Sequence, residues 1–255
     1  MRKYLCITII ALFTLSACSN DENNDTSEQN VNNEENLTEQ KEEKTPEYYV
    51  DPTTFQILPK NEDTNPQVAL LTFDDAPDQY AVDIAHTLKE HDVSAIFFVN
   101  GMYLESEEGK NRLKEIYDLG FEIGNHTQTH PYLDTLSYEE TEYEIKETNA
   151  LVEEITGEKP RFFRAPFGIN TEASAKIVED EGMQFMNWTY GYDFEAEYQN
   201  KDALEDIMVN TELLSNGANL LMHDREWTKD AISNIILGLR DKDYELVNPN
   251  NIDLN

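Results

Sequence analysis

Seven short strand-like runs, the first two the most apolar, alternate with segments of helical periodicity along residues 68–247, and no hairpin signal separates them. The runs are residues 68–73, 95–99, 121–124, 162–164, 184–188, 218–222 and 244–247. Short, continuously apolar runs are expected for strands buried on both faces. Between them, Ile84 and Leu88 lie four apart within 80–90, and Ile145, Thr148, Val152 and Ile155 line one face of 138–155. Further helices are expected at 107–119, 171–181, 202–214 and 227–239, several of them stopped by a nearby glycine such as Gly120, Gly157, Gly182 or Gly217. This alternation predicts an α/β fold with parallel strands covered by helices. A barrel and a doubly wound open sheet both satisfy it. The polar residues favour the barrel. Asp74, Asp75, His126, Arg164 and His223 all fall at the C-terminal ends of different runs, and those ends converge on one mouth only in a closed ring.

The first run stops at two adjacent carboxylates and a proline, Thr72-Phe73-Asp74-Asp75-Ala76-Pro77. Such a pair often caps the next helix, but two acids at the mouth of a buried strand are costly unless something uses them. His126 and His130 stand four apart after the third run, in a chain with only five histidines. Asp75, His126 and His130 form a plausible three-ligand metal site, which leaves Asp74 beside it as a base. His86 and His91 are assigned to helix surface or packing, and Phe97, Phe98 and Leu220 to the core. Phe167, Trp188, Tyr192 and Tyr132 are candidates for the wall of a sugar groove.

The formal net charge of −33 argues against a nucleic-acid partner and against a polybasic membrane patch. The two cysteines, Cys6 and Cys18, precede the folded region, so no disulfide or thiolate chemistry is expected in it. Arg2 and Lys3 followed by an apolar stretch read as an export signal, too short to span a membrane. It ends Leu15-Ser16-Ala17-Cys18, which resembles a bacterial lipobox and implies cleavage before Cys18 and a lipid on it. The expected organisation is a signal at 1–17, a disordered acidic tether at 18–46 and one catalytic domain at 47–255. The protein is expected as a monomer, lipid-anchored through Cys18 on the extracellular face of the bacterial cytoplasmic membrane.

Four motifs, in order, resemble those of the polysaccharide deacetylases with a NodB-homology domain, carbohydrate esterase family 4. They are Thr72-Phe73-Asp74-Asp75-Ala76-Pro77, His126-Thr127-Gln128-Thr129-His130, Arg164-Ala165-Pro166-Phe167 and Leu221-Met222-His223. The resemblance implies a distorted (β/α)7-type barrel, an incomplete relative of the TIM barrel. It implies Asp75, His126 and His130 as metal ligands, Asp74 as base, His223 as acid, Arg164 orienting Asp74, and the Phe167 backbone N–H at the oxyanion. Zinc is the leading metal for this donor set, with cobalt, manganese, nickel and iron as alternatives. Two departures stand out. Ala76 replaces the usual glycine, and an Asp-x-x-Asp-Trp motif is poorly matched by residues 188–194. There Asp193 is the best candidate for a carboxylate steadying Arg164, with Phe194 in place of the tryptophan. The implied activity is removal of N-acetyl groups from peptidoglycan or a poly-N-acetylglucosamine. The alternatives are an O-deacetylase of a polymer such as acetylated xylan, and a surface glycan-binding protein without activity.

Overall fold

The computed structural model describes residues 45–254, so the signal, Cys18 and most of the tether lie outside the described residues. The chain enters through two short strands, β1 (Tyr48–Val50) and β2 (Ile57–Pro59), before the long strand β3 (Val68–Ala76). The alternation follows with α1 (Ala81–Glu90), β4 (Ile96–Val99), α2 (Glu107–Asp118), β5 (Glu122–Asn125), α3 (Tyr138–Thr156), β6 (Phe162–Phe163) and α4 (Glu172–Asp180). It ends with β7 (Gln184–Phe185), β8 (Tyr190–Gly191), α5 (Lys201–Asn210), β9 (Ala218–His223), α6 (Glu226–Asp241), β10 (Glu245–Leu246) and β11 (Ile252–Asp253).

Local chemistry sets several boundaries. Ser137 and Glu140 form a reciprocal capping box at the start of α3, and Gly157 ends it at φ 84°, a left-handed conformation that glycine adopts without strain. Ser106 and Asn200 cap α2 and α5 through their side chains. The helix expected over 202–214 stops at Asn210, because Thr211 turns extended and its hydroxyl takes up Leu213 N–H and Tyr192 Oη instead.

The main sheet runs β7-β6-β5-β4-β3-β9-β8, all parallel, with β10 added beside the start of β3. It curls into the expected (β/α)7-type barrel, left incomplete. The two edge strands, β7 and β8, do not pair with each other, and residues 186–189 cross between them. The run expected as one strand over 184–188 is therefore a two-residue strand followed by this crossing.

Alternation along the strands separates two cores. On β3, Ala69, Leu71 and Phe73 face the helices, packing with Ile84, Leu88 and Ile235 among others. Val68 and Leu70 point into the barrel, where Ile96, Phe98 and Phe162 join Val50, Ile57 and Ile252 of a small β11-β1-β2 sheet. The interior column of β3 thus climbs from apolar Val68 and Leu70 to Thr72 and then Asp74. On β9 the same parity gives Asn219, Leu221 and His223. The bottom of the barrel is filled with hydrocarbon, and its polar end is the site.

Candidate active site

Asp74, Asp75, His126, His130 and His223 line one cavity of about 600 Å³, together with aromatic walls from Phe167, Trp188 and Phe194. Its size suits a small ligand or one segment of a larger one. Among the described residues seven non-glycine residues have positive φ, and four of them are Asp75, Thr127, His130 and Phe167. Each such conformation costs on the order of 1–3 kcal/mol, so the surrounding contacts must hold it in place. The histidine loop shows how. Asn125 Oδ1 accepts from Thr127 N–H, Asn100 donates to the His126 carbonyl, and the Glu144 carboxylate accepts from both the N–H and the hydroxyl of Thr129.

His126 Nδ1 lies 2.7 Å from the Arg164 carbonyl, an acceptor with no proton to give, so Nδ1 carries the hydrogen. The lone pair is thereby left on Nε2, which faces the carboxylates. His126 Nε2 is 3.9 Å and His130 Nε2 3.5 Å from Asp75 Oδ1. These are too long for hydrogen bonds. They approach the separation of about 3.4 Å that two ligands 2.0–2.2 Å from a shared tetrahedral ion would have. The three ligand atoms lie within 4.8 Å of one another, so the residues fit a divalent ion. Burial alone would push the Asp75 carboxyl up, but His126, His223, Arg225 and His130 outweigh it and hold it below its ordinary value. The His130 imidazole is held down by burial and by His126. Both shifts favour the forms that bind a cation.

Arg164 is fully buried across the barrel's unpaired opening. It donates to the carbonyls of Met186 and Asn187 in the crossing, to Thr72 Oγ1, and at 2.7 Å to Asp74 Oδ1. The Phe98 ring lies 4.3 Å beneath it. The guanidinium therefore both ties the two edges together and fixes Asp74, whose Oδ2 stands 3.6 Å from His126 Nε2.

Asp193 does not steady this arginine. Its carboxylate accepts from His223 Nδ1 at 2.7 Å, from His223 N–H at 2.6 Å and from Thr228 Oγ1 at 2.8 Å. The reason is topological. β8 pairs with β9 so closely that a side-chain carbon at Gly191 would lie 2.5 Å from the Leu221 carbonyl, and the chain two residues on arrives beside His223. Burial pulls the His223 imidazole down, but Asp193, with Asp74 and Asp75 behind it, raises it to about 9. The Phe194 and His223 rings stand nearly perpendicular with centroids 6.0 Å apart, and Trp227 donates to the Asp193 carbonyl.

Of the expected groove aromatics, Phe167 and Trp188 line the cavity, and Tyr132 stacks on Phe167 at 4.1 Å. Tyr192 instead packs into the helix-facing core and meets Thr211. His86 pairs with Glu115 and His91 with Ser233, away from the site. Asp224 turns from His223 to accept from the N–H groups of Gln79 and Tyr80 at the start of α1. Sequence reasoning passed over Arg225, which reaches Asp75 Oδ2 at 2.6 Å, and Asn219, which braces the crossing through the Asn187 carbonyl. Asn219 left a trace, as a polar residue in an apolar run at the parity of His223. Arg225 left none.

The sequence model of the family described as polysaccharide deacetylase matches residues 61–186. A peptidoglycan-N-acetylglucosamine deacetylase of Bacillus cereus is 31% identical over 189 residues, covering 70% of this chain and 68% of that one. The chain belongs to the polysaccharide deacetylase family. Peptidoglycan-N-acetylmuramic acid deacetylase PdaC of Bacillus subtilis is 34% identical over 200 residues, 74% of this chain, and the match spans only 40% of that relative's length. Among solved structures, a family 4 carbohydrate esterase pseudoenzyme from Bacillus anthracis superposes with a TM-score of 0.66 at 32% identity, covering 72% of this chain and 64% of that one.

Proposed function

We propose that this protein is a metal-dependent hydrolase that removes N-acetyl groups from amino sugars of a cell-surface polysaccharide, peptidoglycan first. The observation that carries the reading is the convergence of Asp75, His126 and His130 on one point, with Asp74 and a protonated His223 both lining the cavity around it. Peptidoglycan is favoured because the relatives just described act on it by name.

Zinc held by Asp75, His126 and His130 would supply Lewis acidity to an acetyl carbonyl and to the attacking water. Asp74, oriented by Arg164, takes the proton from that water. The backbone N–H of Phe167 would donate to the developing oxyanion. His223, kept charged by Asp193, delivers a proton to the leaving amine, which would otherwise depart as an unstable anion. Phe167, Trp188 and Phe194 offer faces and edges to the sugar ring. We place the enzyme outside the cytoplasmic membrane, anchored by a lipid on Cys18, as a monomer; the lipobox-like sequence supports the anchor. Among the described residues no helix is long and apolar enough to cross a membrane. Cys18→Ala should abolish incorporation of a labelled fatty acid into the protein, and labelling that survives the substitution would count against the anchor.

The deciding experiment is acetate release by the purified protein from peptidoglycan and from N-acetylglucosamine oligomers. Release should vanish on chelation, return with zinc or cobalt, and be lost in a folded His126→Ala variant. Turnover that survives both chelation and that substitution would sink the proposal. Binding of glycan without turnover under any metal would point to a pseudoenzyme, as in the Bacillus anthracis structure, and release from acetylated xylan alone would point to an O-deacetylase.

A further inference from the structure

The Asp75 carboxylate has two oxygens in different surroundings. Oδ1 faces His126 Nε2 and His130 Nε2, and Oδ2 accepts a hydrogen bond from Arg225 at 2.6 Å. Arg225 opens α6 two residues beyond His223, and its other terminal nitrogen donates to the Asp224 carbonyl at 2.8 Å. Asp224 in turn grips the start of α1. Arg225 is therefore anchored from its own side and fixed at the end that touches Asp75.

We infer that Arg225 is a positioning residue for the metal-ligating carboxylate, holding Oδ2 out of the site so that Asp75 offers Oδ1 alone. The inference rests on the metal-site reading of Asp75, His126 and His130. A carboxylate held by one oxygen presents one ligand atom in one direction; released, it can rotate and offer two. Two effects of the guanidinium oppose each other. Its charge repels an incoming dication, whereas its hydrogen bond orients the ligand. The Arg225 side chain is 35% exposed, and water screens the repulsion at such a position. The Asp75 side chain is only 12% exposed, so the oriented hydrogen bond is the stronger influence. The ligand set also keeps less net negative charge, which limits how firmly it quenches the acidity of the ion.

The test measures metal affinity of the full protein by competition with a chromophoric chelator, and the visible absorption of its cobalt form. Arg225→Met should weaken zinc binding by about 10–100-fold, the usual cost of losing a group that orients a ligand. It should also shift the cobalt bands, because the coordination of Asp75 changes. Arg225→Lys, which can still donate to Oδ2, should stay within a few-fold of the native protein. Lys176→Met removes the same charge from an exposed position on α4 and should change nothing. Circular dichroism checks folding, and Arg225→Ala serves if the methionine version unfolds. Native affinity and native cobalt bands in a folded Arg225→Met protein would overturn the role of Arg225 alone. A native protein that binds neither ion would overturn the metal-site reading beneath it.

Discussion

Two ion pairs flank the ligand residues, and they are built the opposite way round. On one side the cation, Arg164, is fully buried, and the carboxylate of Asp74 faces the cavity. On the other the carboxylate, Asp193, is fully buried, and the imidazole of His223 faces the cavity. The chemistry of pairing is the same in both. What differs is which member is left toward the substrate, and that decides which way a proton can travel. Asp74 can accept one and the charged His223 can give one. The buried partners also differ in how they are held. Arg164 spends its donors on strand ends and crossing carbonyls, so it is part of the barrel. Asp193 hangs from a strand of two residues and is held by His223, Thr228 and the Trp227 indole.

This contrast predicts a hierarchy. Asp74→Asn removes the acceptor and keeps the shape, so acetate release should fall by about 10²–10⁴-fold, and because it strips the buried Arg164 of its counter-charge the melting temperature should fall as well; a loss of activity below tenfold in the folded variant would assign the base elsewhere. Arg164→Met leaves Asp74 as an uncompensated buried charge and unties the crossing, so the metal-free protein should lose about 3–5 kcal/mol in urea unfolding. An unmoved midpoint would mean that the barrel opening is held by other contacts. Asp193→Asn should act mainly on pH. In the native protein His223 is charged below about 9. Without the aspartate charge, burial acts with far less opposition and favours the neutral ring. The alkaline limb of the rate profile should then move down, from near 9 toward the ordinary 6.5, with native and variant converging in acid. A limb that stays in place would remove His223 as the acid. Thr228→Val deletes one of the hydrogen bonds to Asp193 and should cost only about 1 kcal/mol of stability in urea unfolding.

Asp74, Asp75 and His223 were legible because they sit where long, strongly apolar strands, β3 and β9, come to an end. Val68 to Phe73 could hardly be other than a buried strand, and a polar group where such a run stops falls at the mouth of a parallel barrel. The ends of α2, α3 and α4 followed from glycines in the sequence, within a residue or two. The region between β6 and β9 was harder to read. Two-residue strands carry almost no periodic signal, so the break at 186–189 and the existence of β8 were not visible, and Asp193 was assigned to the wrong partner. Tyr192 was placed in the groove for the same reason, since its face depends on that short strand.

The sequence by itself determined the parallel α/β alternation, the long buried strands, and the identity of the three candidate ligands with Asp74, Arg164 and His223 around them. Those follow from local periodicity and from where apolar runs end, which neighbouring residues dictate. Only the tertiary structure decided which charge meets which. Asp193 lies 30 residues from His223, and Arg225 lies 150 from Asp75. Each pairing depends on how two strands or a strand and a helix are brought side by side. Hydrogen bonds and coulombic contacts act over a few ångströms of space, and no pattern along the chain encodes that distance.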